Sequence, residues 1–353
     1  MKLIQTVEAE GAVLCHDITQ IVRGVTKGAI FRKGHVVAKE DIPVLLSIGK
    51  DRLYVWEREE GMLHENDAAE ILCAMCKGRH MEQSQAKEGK IELRAACDGL
   101  LKVDDKGLKA VNGFGQMMIA TRHGNFPVKK GDKLAGPRII PLIIEAERME
   151  AAKKAGEQAT GGFPILDLNP FVHKKVGIIT TGNEVYYGRI QDTFTPVIEE
   201  KMKEVDTELM DHAIWNDDDT KITASILDMI EKGADVVVCT GGMSVDPDDK
   251  RLIAIRNTGA QIVSYGDPVL PGAMFLLAYY QAKERDHPRT VAIMGLPGCV
   301  MYAKRTVFDL VLPRIAAGRR ITKEELARLG HGGLCLQCES CHYPACSFGK
   351  VDF

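Results

Sequence analysis

No run in this 353-residue chain approaches the roughly 18 apolar residues of a membrane helix. The N-terminus, MKLIQTVEAEGAVL, sets two glutamates before any sustained apolar stretch. No signal peptide is therefore expected, and the cytoplasm is the expected location. Net charge is nearly absent as well. A formal -3 gives no global attraction to nucleic acid or an anionic membrane, so any anion site must be local. Solenoid repeats and low-complexity linkers are missing. What is left is an ordinary globular composition, 45% hydrophobic and 27% charged, at a length suited to roughly two or three domains. Cysteine is the exception: there are ten, and Cys335, Cys338, Cys341 and Cys346 crowd into the C-terminal tail. In a reducing compartment such clustering points to metal or redox chemistry before disulfides.

The hydrophobic rhythm divides the chain. Residues 1–88 read as an α+β region with two helices. EDIPVLLSIGK is stopped at Gly49, and ENDAAEILCAMCKG is capped by Asn66 or Asp67 and stopped by Gly78. The second helix puts Cys73 and Cys76 on one face, where a buried pair is a simpler reading than a redox-active one. Residues 89–145 alternate and carry glycine turns, as a small β-rich domain would. A helical connector fills 146–173. From 174 to 318 strand, turn and helix alternate, which implies a doubly wound α/β unit. TPVIEEKMKEVDTELM is expected as one amphipathic helix within it, and a further helix is expected from Cys299 to Ile315. Residues 319–353 are a helix and a Cys-rich tail.

Three turns in the α/β unit follow strands and carry glycine where the strand ends: TTGNEV (180–185), CTGGMSVDPDD (239–249) and MGLPGCV (294–300). Parallel strands bring such turns to one edge, the usual ligand crevice of an open α/β sheet. Backbone amides there cradle phosphate or other oxyanions, and Thr240 and Ser244 add hydroxyls. Glu184, Asp192, Asp246 and Asp249 are carboxylates suited to Mg²⁺. The alternative is that Asp246, Asp248 and Asp249 simply cap the next helix.

TGNEV, IQDTF (190–194), TGGMSVDPDD and GLPGCV, in that order and spacing, resemble the molybdopterin-binding domain. Molybdopterin molybdotransferases and adenylyltransferases share this domain, whose patterns read TG(D/N)E, an Asp-Ser-Asn turn, TGG-x-S-x-G-x-x-D and GLPGNP. The resemblance covers about residues 174–318. It implies an α/β/α fold that binds molybdopterin or its adenylylated form. Thr181, Gly182, Thr240, Gly241, Gly242, Ser244, Asp246, Gly295, Pro297 and Gly298 would line the site. Glu184, Asp192 and Asp249 would be the acids, with Mg²⁺ on Asp192 and Asp249. It further implies molybdate insertion with AMP release, or alternatively a carrier that hands the cofactor to a molybdoenzyme. Nucleotide pyrophosphatase chemistry is a third option, since competence-damage-inducible proteins share the domain. A homo-oligomer is expected, because related domains form dimers or trimers. The pattern departs from the family at several points. Thr193-Phe194 replaces Ser-Asn, Asp246 replaces glycine, and Cys299-Val300 replaces Asn-Pro. Leu270-Pro271-Gly272-Ala273-Met274 lacks both lysines of the molybdotransferase turn, and the N-terminal half has no Asp-Gly-Tyr-Ala. Pterin binding is thus better supported than molybdate insertion.

The tail, GHGGLCLQCESCHYPACSFGKVDF, spaces its cysteines C-x₂-C-x₂-C-x₄-C. That is one residue longer than a ferredoxin run. An iron–sulfur cluster, a single Zn²⁺ and uncomplexed thiols all remain open for Cys335, Cys338, Cys341 and Cys346, with docking to a molybdoenzyme or an iron–sulfur protein as the partner it suggests. The flanking glycines predict a loose appendage. Cys299, at a helix start, is expected to have a lowered pKa and to be the most reactive scattered thiol.

Overall fold

The computed structural model describes residues 2–22, 26–55, 60–162, 164–241, 249–283 and 288–350. The chain groups into two compact units. One comprises Met1–Arg94, Val103–Arg122 and Lys133–Asp167, the other Ala95–Lys102, His123–Asp132 and Leu168–Phe353.

In the first unit Lys2–Gln5 pairs antiparallel with Arg52–Val55, and Ile18–Val22 with Thr26–Phe31. Leu14, Ile18, Leu45 and Leu53 form a small core there, with Leu45 contributed by the helix Asp41–Ser47. The helix Glu65–Cys76 forms where the spacing places it, but the side chain that caps it is that of His64, which accepts from the Asn66 amide at 3.2 Å. Cys73 and Cys76 are buried, as their shared face requires.

The second unit is built on a six-stranded sheet. Its strands are β1 (Lys174–Thr181), β2 (Thr207–Trp215), β3 (Val236–Thr240), β4 (Gln261–Tyr265), β5 (Leu276–Ala282) and β6 (Arg289–Gly295), in the spatial order β2-β1-β3-β6-β5-β4. The first four in that order are parallel; β5 runs against β6, and β4 runs against β5 and so shares the direction of the first four. Continuous β-branched runs form central strands because both faces are covered. Val176, Ile178, Val236 and Val238 pack with α1 (Phe194–Met202) and α4 (Val307–Ala316). Ile179, Val237, Cys239 and Ile293 face the other way, toward α2 (Asp219–Glu231) and α3 (Lys250–Asn257). The architecture is the expected doubly wound α/β/α sandwich.

Three elements differ from the pattern. The helix expected over TPVIEEKMKEVDTELM stops at Met202, and β2 begins at Thr207. The helix expected from Cys299 is only a short 3₁₀ turn, Gly298–Met301, and the true helix starts at Val307, capped by Thr306 and Asp309. The strand β5 has no counterpart in the sequence expectation.

The tail is not a loose appendage. Phe348 is buried in the core of this unit, with Tyr343, Cys335 and Cys346 packed against it. The Cys335 amide donates to the Leu270 carbonyl and the Leu270 amide to that of Gly333, each at 2.8 Å.

Candidate functional site

The register fixes where the three turns lie. Thr180 of β1 is opposite Thr240 of β3, and Cys239 of β3 is opposite Gly295 of β6. The three strands therefore end side by side and in the same direction. The chain leaves β1 for β2 on one side and returns to β3 on the other, so the switch point falls between Gly182 and Gly241, where ligands of open α/β sheets bind. The loop Gly266–Phe275 joins β4 to β5 at the same end, because Tyr265 and Leu276 pair there and Leu276 lies opposite Gly295.

Gly241 has φ +114°, and a Cβ there would run into the Thr181 carbonyl oxygen. The two strand ends are tied closely, with the Thr181 hydroxyl donating to the Thr240 carbonyl at 2.8 Å. The Thr240 hydroxyl is fully buried beside this turn and has no hydrogen-bond partner among the described residues. Two more buried polar atoms are orphaned among them at the end of β2, the donor Nε1 of Trp215 and the acceptor Oδ1 of Asn216. Buried polar groups are normally paired, so one donor-acceptor hydroxyl, one donor and one acceptor at a strand-end crevice fit a polar ligand. The Tyr186 ring lies nearly parallel to that of Trp215, with 6.4 Å between centroids.

The acids behave differently from one another. Asp192 sits beside the end of β1 and accepts from the hydroxyls of Thr180 (2.9 Å) and Thr195 (2.6 Å) and from the amide of Phe194 (2.8 Å). His212 Nε2 lies 3.2 Å from it. Burial opposes its charge, but these hydrogen bonds outweigh it and hold its pKa below the ordinary carboxylate value. Asp249 caps α3 through the Arg251 amide, and its side chain is wholly buried against the Arg251 guanidinium, at 2.8 Å from Nε and 3.2 Å from Nη2. The capping alternative therefore describes what it does here. Glu184 is exposed, in the four-residue helical turn Asn183–Tyr186. Gly295, Pro297 and Gly298 stand at the end of β6, whereas Gly242, Ser244, Asp246 and Asp248 lie outside the described residues.

Among the described residues no three His, Cys, Asp or Glu side chains are placed to hold one ion. Asp192 and Asp249, the pair assigned to Mg²⁺, already spend their oxygens on protein donors. The described residues do not fit a resident divalent cation.

Sequence reasoning passed over Thr180, Thr195 and His212 around Asp192, Arg251 beside Asp249, and Asp267. Asp267 is buried in the Gly266–Phe275 loop, with Oδ1 taking the Ser264 hydroxyl at 2.8 Å and Oδ2 unpartnered among the described residues. Burial raises its pKa, only partly offset by Ser264. An acid between two glycine-containing turns in an apolar stretch was the available signal. Cys299 is also corrected: it is half-buried on a 3₁₀ turn, and burial pushes its thiol pKa up rather than down.

Asp192 and Asp267 make opposite pH predictions. The depressed Asp192 stabilises the fold above the unfolded carboxylate value of 3.8 and loses that contribution as pH falls through its folded pKa. Raised Asp267 does the reverse, costing stability as pH rises from 3.8 through its folded pKa. At neutral pH Asp192→Asn should lower the urea midpoint and Asp267→Asn should raise it. Both differences should shrink in acid.

Residues 177–317 match the family model described as a probable molybdopterin binding domain. This region is a molybdopterin-binding domain. A second model, a domain of unknown function, matches residues 3–57. A CinA-like protein of Mycobacterium tuberculosis (strain ATCC 25177 / H37Ra) is 34% identical over 93 residues, which is 26% of this chain and 22% of that protein. One from Mycobacterium avium (strain 104) is 32% identical over 93 residues, 26% of this chain and 21% of that one. The chain thus spans about a fifth of the length of the curated relatives it matches. Among solved structures, the tungsten cofactor synthesizing protein MoaB from Pyrococcus furiosus is 22% identical with a TM-score of 0.33, covering 40% of this chain and 91% of that one. The molybdopterin biosynthesis enzyme MoaB from Thermus thermophilus is 20% identical with a TM-score of 0.32, covering 41% and 98%. No helix among the described residues is long and apolar enough to cross a membrane.

Proposed function

We propose that the molybdopterin-binding domain holds molybdopterin, or its adenylylated form, at the switch point between β1 and β3, and that the protein serves molybdenum cofactor assembly as a carrier. One observation carries the binding: the buried Thr240 hydroxyl, without a partner among the described residues, beside the Gly241 cradle. That hydroxyl suits a phosphate oxygen, to which it would donate. Trp215 Nε1 and Asn216 Oδ1 offer one donor and one acceptor to a heterocycle, and a pterin presents both kinds of edge. Carriage is favoured over molybdate insertion by the engagement of Asp192 with Thr180 and Thr195 and of Asp249 with Arg251. A metal-assisted transfer would have to break both sets of contacts.

Thr240→Val tests the binding, because the ligand-free and ligand-bound proteins should respond with opposite signs. Removing a buried hydroxyl that has no partner among the described residues should leave the free protein as stable or stabilise it. The lost hydrogen bond should weaken anaerobic molybdopterin binding roughly tenfold, equivalent to about 1.4 kcal/mol. Unchanged affinity would count against this crevice. Carriage is tested by single turnover with adenylylated molybdopterin, Mg²⁺ and molybdate, where tight binding without AMP release is expected. AMP release coupled to molybdenum uptake would make the protein a molybdotransferase, and hydrolysis of ADP-ribose a pyrophosphatase.

A further inference from the structure

We propose that Cys335, Cys338, Cys341 and Cys346 ligate a [4Fe–4S] cluster in a cavity at the crevice end of the α/β unit. All four are free thiols, and all four line one cavity of about 270 Å³ together with Lys304 and Arg305. Sequence spacing alone left both zinc and iron–sulfur open, and a cavity shared by all four cysteines favours the larger group. A tetrahedral zinc with Zn–S bonds of ~2.3 Å requires its sulfurs about 3.8 Å apart, converging on one point. No three such groups converge on a point among the described residues. The four cysteines line one cavity instead. A cubane cluster asks for that arrangement, since each cysteine binds a different iron and the inorganic core fills the volume between them.

The cavity is a built site. One wall is the tail, fixed by the Cys335–Leu270 backbone pairing and by buried Phe348. The other is the segment Tyr302–Arg305, which follows β6 and its glycine turn. Lys304 Nζ spans the two walls, donating to the Glu339 carbonyl at 2.6 Å. Arg305 stacks over Tyr343 at 4.6 Å, and the Tyr343 hydroxyl donates to the Asp309 carbonyl at 3.1 Å. Four thiolates around a cluster carry net negative charge, which the Lys304 ammonium in the wall suits; Arg305 is already paired with Glu204 and Asp309. Phe348, with Tyr343 packed against it, closes the buried side of the cavity, while Cys338 and Cys341 lie on its exposed side. Each thiol gives up one proton on ligation. Because Leu270 belongs to the β4–β5 loop and Tyr302–Arg305 leaves β6, both walls spring from the strand ends that form the crevice.

The test is anaerobic reconstitution of the full chain with ferric iron, sulfide and excess dithiothreitol, which supplies the electrons to reduce part of the iron. About four iron and four acid-labile sulfide per chain are expected, with broad visible iron–sulfide absorption and a paramagnetic signal on reduction with dithionite. Cys338→Ser and Cys341→Ser alter exposed positions, so folding should survive, and each should lose the four-iron signature. Cys97→Ser, outside the cavity, should keep it. One zinc per chain without visible absorption would overturn the proposal. So would a reconstituted chain whose four tail thiols all remain open to alkylation, or an iron content unaffected in both tail variants.

Discussion

Asp309→Ala should destabilise the α/β unit by about 3–5 kcal/mol, the usual cost of stripping one partner from a buried ion pair. Its carboxylate sits at the start of α4 with a side chain only 2% exposed, and Lys201 of α1 reaches it at 2.7 Å with 9% exposure. The same carboxylate accepts from Arg305 Nη1 at 3.0 Å and from the Thr306 amide at 2.7 Å, closing the capping box of α4. Removing it leaves the Lys201 ammonium buried, with the Lys304 carbonyl at 2.9 Å as its one remaining acceptor among the described residues. Arg305 is better provided for, since Glu204 holds its two terminal nitrogens at 2.7 and 2.8 Å.

The double variant Lys201→Met/Asp309→Leu should recover most of the loss, because the pair repays its own desolvation but adds little beyond it. A double-mutant cycle on urea midpoints separates the alternatives. If the double variant is as unstable as Asp309→Ala, the capping box and not the stranded ammonium carries the cost. The result also bears on the cysteine cavity, because Asp309 helps hold Arg305, one of its wall residues.

What the sequence disclosed followed from burial on both faces. The runs Val176–Ile179 and Val236–Cys239 announce central strands because apolar residues follow one another whichever way they point. Glycine at their ends located the crevice for the same reason. The strand β5 is as apolar as these, but it follows β4 with no helix between them and so breaks the strand-helix rhythm used to find the others. The overrun of α1 has a different cause. Val205 and Leu209 continue its 3.6-residue spacing, yet Leu209 reaches the core from β2. Spacing cannot distinguish a helix that continues from one that ends and hands its next apolar residue to a strand. Charge pairing was less legible. Nothing in DPDDKR says that Arg251 folds back onto Asp249 and occupies it, since the side chain's path depends on the burial of the whole turn. In the tail the glycines mislead. A Cβ on Gly333 would run into the Leu329 and Pro268 carbonyl oxygens, so glycine there permits close backbone packing and not looseness.

The same distinction makes Gly241→Ala the second large effect. Its φ of +114° alone costs a non-glycine residue about 1–3 kcal/mol. The added Cβ would also meet the Thr181 carbonyl, a backbone atom at the end of β1 that cannot rotate aside. Relief requires β1 and β3 to separate at their ends, against the Thr181–Thr240 hydrogen bond and the bond from Arg251 Nη1 to the Gly241 carbonyl. Gly233→Ala is the control. It has φ +106°, and a Cβ added there meets nothing within 4 Å among the described residues, so it should carry the conformational cost without the collision. Gly241→Ala should therefore lower the urea midpoint by clearly more than Gly233→Ala. Only Gly241→Ala should also abolish pterin binding under conditions where the protein remains folded. Equal losses in the two variants would mean that the strand ends yield to the methyl group, and the switch point would then be a softer surface than a phosphate cradle requires.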